Sequence, residues 1–375
     1  MGQSPPSDSY TELRKGLPFL QGNADFGPKV PTPKIYCTSP TKICERDDVL
    51  VSVRAPVGDL NIADQEYCIG RGLAAIRGKE RRIWRPFLFY ALELERKQLY
   101  RLMQGTTFEA VNTADLESVS IRLPSQIDDQ QRISDILQSV DNAIEKTSDL
   151  IEKHKKIKLG LMQDFFNGAE GRDSRNGRQL IALGDPDYFT LATGGTPSTT
   201  VSEYWGGNIK WMVSGDVHKK RIFEVDGRIS EKGYENSNAT LIPKDSVLIA
   251  LAGQGKTRGT VAINKIELTT NQSVAAVIPK RERVHPEYLY HFLDSKYQEL
   301  RSISAGAGRA GLSLSILAKY AIGIPEKRSE QERVAGVLDD IDSRIRSEES
   351  YRSKLEKVRT GLTQDLLTGR VRVAS

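Results

Sequence analysis

The chain has 375 residues, of which 38% are hydrophobic and 27% charged, and its net charge is +5. This length suits two to four domains, and the absence of any run of 18 apolar residues excludes a membrane span. The amino-terminal segment is polar and rich in Pro and Ser, unlike a signal peptide. The three cysteines, Cys37, Cys44 and Cys68, have no CxxC spacing, which favours neither a disulfide framework nor a zinc site. We therefore expect a cytoplasmic protein.

An internal repeat organises the sequence. Residues 121–169 align without a gap to residues 322–370 at a constant offset of 201, and 14 of these 49 positions are identical. The identities include Gln130 with Gln331 and Asp141 with Asp342. A fainter match extends upstream, where residues 73–76 parallel residues 274–277. The repeat predicts two similar units arranged in tandem.

The first copy begins with short strands and ends in a long helix. Apolar, β-branched runs predict strands at 48–53 and 73–76, followed by a helix near 84–103. Apolar residues then recur at spacings of three and four through residues 125–170, which predicts a single helix. Pro124 stands before its start and Gly168 where a C-cap is expected.

The second copy repeats this order after a Gly-rich linker at residues 171–178. Strands are predicted at 208–213, 246–252, 260–263 and 273–278, a helix at 286–302, and a second long helix after Pro325 that ends near Gly369. Helices of some 40 residues are about 60 Å long. Their apolar seam predicts that they pair as an antiparallel coiled coil, although packing of each helix on its own globular part stays open. The predicted segments are 1–124, 125–170, 171–325 and 326–375.

The positive charge is unevenly distributed. Residues 125–170 and 326–370 carry a net charge of −3, so the remaining, globular parts carry +8. This distribution favours nucleic-acid binding by the globular parts, although each basic residue could also be an ordinary solvated charge. The candidates are Lys29, Lys34, Arg54, Lys79, Arg81, Arg82 and Arg85 in copy one, and Lys210, Lys219, Lys220, Arg221, Lys256, Arg258 and Arg309 in copy two.

Three motifs suggest other chemistry and are set aside. ALAGQGKT at 250–257 loosely fits a phosphate-binding loop, but the next residues predict a strand rather than the required helix. Asp185-Pro186-Asp187-Tyr188 resembles a methyltransferase motif but lacks its second proline, so a loop is the better interpretation. The four histidines show no metal-ligand spacing, and the sequence suggests no nucleophile and base. These observations favour a binding protein without catalytic residues, metal or cofactor.

Several stretches together resemble the specificity subunits of type I restriction-modification systems. They are VLVSVRAPVGDLNIADQEYCIGRGLAAIRG (49–78), GGTPS (194–198), TTNQSVAAVIP (269–279), IPEKRSEQERVAGVLDDID (324–342) and LTQDLLTGRVRV (362–373). The resemblance covers nearly the whole chain. It implies an α+β architecture, with two tandem α/β target-recognition domains separated by two long paired helices in a pseudo-twofold duplication.

The resemblance also implies a function. Each recognition domain would read one half of a bipartite target in double-stranded DNA, and the helices would set the gap between the halves. Two modification subunits that carry S-adenosylmethionine would bind this chain, and a restriction (motor-nuclease) subunit would join for cleavage. Phe165, Phe166, Leu366 and Leu367 are candidate docking residues, with the helix–helix core as the alternative. A free-standing DNA-binding regulator and a nucleotide-dependent enzyme remain as competing hypotheses.

The two copies differ at their beginnings. In copy two, residues 178–193 precede the GGTPS motif, whereas the corresponding GQSPP motif of copy one starts at Gly2. The opening strand of copy one is therefore missing or supplied elsewhere, for example by the GRVRV segment at 369–373.

Overall fold

The computed structural model describes residues 1–79, 81–104, 111–166, 178–253, 255–303 and 312–373. The chain forms two compact units. Unit 1 comprises Met1–Ser148 and Glu349–Ser375, and unit 2 comprises Asp149–Glu348. The four sequence segments are therefore regrouped, because each long helix is divided between the two units.

Unit 1 contains two sheets of short strands. One has the order β1-β3-β2-β7-β4 and the other the order β6-β5-β8. Strand β5 is central in its sheet and buried throughout, as its continuous apolar sequence VLVS predicts. The strands are Tyr10–Thr11 (β1), Leu17–Leu20 (β2), Ile35–Cys37 (β3), Ile43–Cys44 (β4), Val49–Ser52 (β5), Leu60–Ile62 (β6), Tyr67–Ile69 (β7) and Leu73–Ile76 (β8).

Unit 2 repeats this plan with more strands. Its sheets have the orders β10-β17-β14-β15-β12, β13-β11-β16 and β18-β9. Strands were predicted close to β11, β14, β15 and β17, and all four are confirmed. The strands are Arg178–Ala182 (β9), Phe189–Thr193 (β10), Trp205–Met212 (β11), Arg221–Ile222 (β12), Arg228–Ile229 (β13), Val247–Ala250 (β14), Val261–Asn264 (β15), Thr269–Thr270 (β16), Val274–Pro279 (β17) and Ala321–Pro325 (β18).

Each helix predicted beside a sheet consists of two shorter helices. The breaks lie at Glu95 (φ −89°, ψ 13°) and Lys296 (φ −95°, ψ 18°), where the backbone leaves the helical region. Within the described residues, no helix has the length and apolarity needed to cross a bilayer. The helices are Arg85–Leu94 (α1), Arg96–Gln104 (α2), Thr113–Glu117 (α3), Ile127–Phe166 (α4), Glu231–Glu235 (α5), Pro286–Ser295 (α6), Tyr297–Ile303 (α7), Leu314–Ala318 (α8) and Arg328–Leu367 (α9).

In unit 1, the first half of α4 packs against the second half of α9. Ile133 and Leu137 share a buried core with Leu366 and Leu367. Farther along α4 but earlier on α9, the Nε atom of Arg359 lies 2.8 Å from Oδ1 of Asp141. Because residue numbers rise along one helix as they fall along the other, the two segments are antiparallel.

Unit 2 contains the reciprocal pairing. Met162 and Phe166 of α4 share a core with Val334 and Leu338 of α9, and Lys158 Nζ lies 2.7 Å from Asp342 Oδ1. Lys158 and Asp342 occupy the repeat positions of Arg359 and Asp141. The duplication has therefore kept an ion pair between the helices, and the predicted antiparallel pairing of the two duplicated helices is confirmed within each unit.

A buried glutamine joins each long helix to its globular part. The amide nitrogen of Gln130 donates to the carbonyl oxygens of Arg82 (3.0 Å) and Pro124 (2.9 Å), and its oxygen accepts from Trp84 N at 2.8 Å. The repeat-related Gln331 makes the same three bonds, to Arg283 O, Pro325 O and His285 N. Both side chains are 1% exposed, so the identity of these positions has a structural cause.

Replacing Gln331 by leucine should destabilise unit 2. The substitution leaves three buried backbone groups without their partner, and we expect a loss of at least about 2 kcal/mol in the free energy of unfolding. Urea denaturation would measure it, with Gln364→Leu, on an exposed part of α9, as the control. Equal midpoints for both variants would contradict this role.

The Asp141 cluster should make the stability of unit 1 depend on pH. Burial raises the pKa of the Asp141 carboxyl, but Arg359, Tyr90 and Lys29 outweigh burial and hold that pKa below its ordinary value. Stability from this group is therefore present above about pH 4, the ordinary range of an aspartate, and is lost as pH falls through the lower folded pKa.

We accordingly expect Asp141→Asn to cost about 2 kcal/mol at neutral pH. The difference from the unmodified protein should shrink as pH falls below about 4 and through the lowered folded pKa of Asp141, because Asp141 then becomes protonated as well. Denaturation across this pH series checks the expectation, with the exposed Asp135→Asn as the control. A difference that stays constant with pH would refute the charge-based explanation.

Candidate nucleic-acid interface

Four loops of unit 2 meet at one end of its sheets, and we call them loop cluster 2 (residues 194–198, 213–218, 251–257 without Gln254, and 271–273). The backbone links them, because Leu251 N donates to Ser273 O at 2.8 Å and Asn271 N donates to Met212 O at 2.9 Å. A third link joins His218 Nε2 and Thr257 Oγ1 at 3.1 Å. The strands therefore hold loops from distant parts of the sequence together.

Two tryptophans fix the GGTPS segment of this cluster. Trp211 Nε1 donates to Gly195 O at 3.0 Å and Trp205 Nε1 donates to Ser198 O at 3.1 Å. The two rings pack edge to face with centroids 5.0 Å apart. The exposed Thr196 hydroxyl lies 2.5 Å from Gln272 Oε1. The segment therefore presents polar side chains on a backbone that is held in place.

Unit 1 has a corresponding set of loops, loop cluster 1 (residues 2–4, 21–22, 53–58 and 70–72). Gly70 N donates to Leu20 O at 2.8 Å, as its repeat counterpart Asn271 donates to Met212 O. Val53 N donates to Gly72 O at 2.9 Å, and Arg71 N donates to Ser4 Oγ at 3.3 Å. The side chains of Arg54 and Arg71 are exposed here.

The exposed groups of the two clusters are suited to DNA. Arginine and lysine neutralise phosphates, and amide, hydroxyl and imidazole groups can hydrogen-bond to base edges. Loop cluster 1 offers Arg54 and Arg71, whereas loop cluster 2 offers His218, Lys256 and Gln272. The two loop clusters therefore share a backbone framework but present different exposed side chains.

The structure places the predicted basic residues of unit 1 in different environments. Lys29 is an internal ion-pair partner, with Nζ 3.2 Å from Asp141 Oδ2 and 3.1 Å from the Tyr90 hydroxyl. Arg85 lies 3.7 Å from Glu45. Arg54 is in loop cluster 1, and Lys34 is exposed before β3. The remaining three, Lys79, Arg81 and Arg82, are exposed at the opposite end of β8, beside the start of α4.

The structure pairs most of the predicted basic residues of unit 2 with carboxylates. Arg221 is mostly buried and contacts Glu287 and Asp339, so it is a structural cation. Of the others, Lys256 is exposed in loop cluster 2 and Arg258 is half-buried beside it, while Arg309 lies outside the described residues. The paired lysines are Lys210 with Glu224 (3.2 Å), Lys219 with Asp216 (2.8 Å) and Lys220 with Asp294 (2.7 Å).

The candidate docking residues on the long helices are not exposed. Phe166, Leu366 and Leu367 are 0%, 6% and 4% exposed within the cores, so the prediction that they form a free docking surface is wrong. Phe165 is partly buried against the same core as Phe166, with the Arg333 guanidinium 5.5 Å from its ring. Helix periodicity could not distinguish a docking face from a core face, and the alternative of a core role is correct.

Two of the motifs that were set aside have the predicted structures. Residues 251–260, which include most of ALAGQGKT, connect the antiparallel strands β14 and β15, so no helix follows the motif. Residues 184–188 form the turn between β9 and β10. The sequence context of each motif was therefore a better guide than its pattern.

A cluster of Glu287, His291 and Asp339 was not foreseen. Atoms of these three residues that could bind a metal lie within 4.8 Å of one another. However, Arg221 contacts both carboxylates and Lys265 contacts Glu287. Burial lowers the pKa of Arg221, but the two carboxylates outweigh it and hold the pKa above its ordinary value, so the guanidinium stays charged. The carboxylates of the cluster are thus paired with Arg221 and Lys265 in an internal ion network.

Sequence reasoning missed Arg71, His218, Thr196 and Gln272. These residues are scattered along the chain, and only the strand ends bring them into their clusters. Arg71 stands at the repeat position of Gln272, one residue after the matched pair Gly70 and Asn271. Comparing the two copies loop by loop could have identified that pair.

Comparisons with known proteins agree with this duplicated architecture. The family model described as "Type I restriction modification DNA specificity domain" matches residues 31–153 and 186–357. Among solved structures, an S subunit of a type I restriction-modification system from M. genitalium has a TM-score of 0.69 at 17% identity, covering 98% of this chain and 92% of that one. A chain from a type I R-M system, solved to explain complex assembly and conformational transition, has a TM-score of 0.57 at 16% identity, covering 94% and 91%.

Curated relatives from Methanocaldococcus jannaschii match parts of the chain. The putative MjaX specificity subunit is 44% identical over 165 residues, 43% of this chain and 39% of that protein. The MjaIX specificity subunit is 33% identical over 177 residues, 46% and 40% respectively. The matched part thus spans about two fifths of each relative. Because the family model matches both copies of the repeat and most of the chain, this protein belongs to the type I restriction-modification DNA specificity family.

Proposed function

We propose that this protein is a DNA-specificity subunit whose units 1 and 2 each read one half of a bipartite target in double-stranded DNA. The observation that carries the proposal is the pair of loop clusters, which share backbone links but differ in their exposed side chains. Arg54 and Arg71 in one and His218, Lys256 and Gln272 in the other suit two different base sequences. Loops fixed on a rigid scaffold are a common location for recognition residues.

The chemistry of restriction and modification is assigned to partners in this proposal. Two modification subunits would bind S-adenosylmethionine and transfer its methyl group, and a restriction subunit would cut DNA. The chain itself would contribute recognition without catalysis. In support, the relatives are named specificity subunits, and one structural neighbour was studied for the assembly of a type I R-M system.

The long helices are proposed to set the distance between the two half-sites. Each of these 40-residue helices contributes one half to unit 1 and the other half to unit 2. A helix advances about 1.5 Å per residue and DNA about 3.4 Å per base pair. Helix length would therefore translate into spacer length.

Removing exposed cations from a loop cluster should weaken DNA binding through lost phosphate contacts. For the double variant Arg54→Ala/Arg71→Ala, we expect lower affinity and a salt dependence reduced by about one per phosphate contact removed. Fluorescence anisotropy with a DNA duplex that contains the target, determined by methylation-site sequencing, would measure both quantities across a salt series.

The control variants remove exposed cations at the ends of β8 and β17 that lie away from the loop clusters. Lys79→Ala/Arg82→Ala removes two exposed cations of unit 1 beyond the far end of β8. In unit 2, Lys256→Ala tests loop cluster 2 and Lys280→Ala, beyond the far end of β17, is its control. If the control variants lose as much affinity as the cluster variants, DNA does not bind at the loop clusters.

Shortening both helices by one heptad tests the distance proposal. Deleting residues 145–151 together with 349–355 removes about 10.5 Å while preserving the apolar seam. We expect the recognised spacer to shorten by about three base pairs with both half-site sequences unchanged. Methylation-site sequencing in a host carrying the variant and its partner subunits would measure this.

The matched control keeps the full length of both helices and changes only exposed side chains in the same two segments. Substituting alanine for the exposed residues Glu145 and Lys354 should leave the spacer unaltered. An active deletion variant that keeps the original spacer would show that helix length does not set the distance. A change of half-site sequence would contradict the assignment of base reading to the loop clusters.

A further inference from the structure

The most informative difference between the units is a two-strand segment that completes unit 2. Strand β9 pairs antiparallel with β18 over five residue pairs, and β10 pairs with β17 over five more. Three apolar side chains of this segment, Ile181, Leu183 and Phe189, are buried in the main core of unit 2. Residues 178–193 thus complete two sheets at once.

The equivalent surface of unit 1 is open in the described part of the chain. Strand β8, the repeat counterpart of β17, is the outermost strand of its sheet. Leu123 is 41% exposed, whereas its repeat counterpart Ile324 in β18 is 3% exposed. Ile76 and Ile121 are only partly buried, whereas their counterparts Val277 and Ile322 are fully buried. Unit 1 therefore exposes the apolar side chains that β9 and β10 cover in unit 2.

A groove beside this surface contains a carboxylate, which is the partner that the leading arginine of such a segment requires. It has a volume of about 500 Å³ and is lined by Leu123, Asp129, Ile133, Leu367 and Val373 among others. In unit 2, Arg178 at the start of β9 lies 3.9 Å from Glu330. Asp129 is the repeat counterpart of Glu330, so the groove offers a carboxylate where an incoming strand would bring an arginine.

The backbone around Gly2 indicates which position beside β8 such a segment would occupy. Gly194, which directly follows β10, has no room for a Cβ, because that atom would lie 1.8 Å from Thr270 O. Gly2 is confined in the same way, with a Cβ only 2.3 Å from Gly70 O, and its N donates to Leu73 O at 2.8 Å. Gly2 of unit 1 therefore corresponds to Gly194 of unit 2. In unit 2, β10 lies just before Gly194 and pairs with β17. A segment in the same position of unit 1 would lie just before Gly2 and along β8.

The carboxyl-terminal segment does not supply the strand within the described residues. Val371 and Val373 line the groove, and Val373 packs on the edge of the core, but residues 371–373 form no strand. The GRVRV segment therefore contributes Val373 to the packing of the first domain but supplies no strand in residues 371–373. The edge of β8 remains accessible beside them.

We propose that the edge of β8, residues 120–124 and the adjoining groove form a binding surface for an extended polypeptide segment with the pattern of residues 178–193. Its backbone would pair with β8 and with residues 120–124, its apolar residues would cover Ile76, Ile121 and Leu123, and its leading arginine would face Asp129. Strand addition at an exposed sheet edge is an established mode of peptide recognition. This proposal is independent of DNA reading.

The test uses the full chain and a synthetic peptide with the sequence of residues 178–193, RQLIALGDPDYFTLAT. We expect saturable binding with one peptide per chain by fluorescence anisotropy, and slower amide hydrogen exchange across β8. A control peptide with Ile181→Asp, Leu183→Asp and Phe189→Asp should not bind, because its apolar side chains can no longer cover the core. Equal behaviour of both peptides, or no binding by either, would overturn the proposal.

A charge exchange tests the predicted contact with Asp129. The half-buried Asp129→Arg variant should bind the peptide roughly fivefold more weakly, and a peptide with Arg178→Glu should regain the loss. Loss without rescue would contradict the proposed orientation.

Covalent attachment provides a second, independent measurement. Residues 178–193 placed directly before Gly2 should raise the unfolding temperature and protect β8 from exchange, and the triple-aspartate version should do neither. Sedimentation of the unmodified chain tests a different occupant, since a dimer that the peptide dissociates would mean that a second copy covers this surface and would overturn the proposed occupant.

Discussion

Burial of the long-helix ends in the globular cores is the constraint on which the rest of the structure depends. Phe166, the last residue of α4, is fully buried and packs edge to face on Tyr288 and Phe292, with ring centroids 5.7 and 5.3 Å away. Burying one such side chain contributes about 2–3 kcal/mol. Leu366 and Leu367 at the end of α9 have the same role in unit 1. Each unit therefore needs both helices, and unit 1 is discontinuous in the sequence.

Polar contacts give this apolar packing a definite register. The glutamine pair Gln130 and Gln331 fixes the start of each helix, and the ion pairs Asp141–Arg359 and Asp342–Lys158 fix the helices against each other. The networks around these pairs have diverged, since Tyr90 of unit 1 is replaced at its repeat position by His291 of unit 2. Buried ions are costly to remove from water, so their retention is better explained by geometric specificity than by net stability.

The same duplication separates a common framework from variable surfaces. The strand ends place loop clusters 1 and 2 at corresponding positions, while the exposed side chains in them differ. The units also differ at the edge of their main sheets, because β17 pairs with both β14 and β10, whereas β8 pairs only with β5 among the described residues. Backbone pairing and core packing preserve the framework, whereas solvent-facing positions change at little cost to stability.

The sequence by itself determined the duplication, the two 40-residue antiparallel helices, the strands around β5 and β14, and the family. These features depend on local periodicity and on residue identity at a fixed offset, both of which are readable along the chain. Only the tertiary structure decided which cations are available, because Lys29 and Lys220 are neutralised by carboxylates 112 and 74 residues away. It also decided that Phe166, Leu366 and Leu367 are core residues and that Arg71 and His218 lie in the loop clusters. Both outcomes depend on contacts between distant segments, which hydrophobic periodicity and charge counts do not encode.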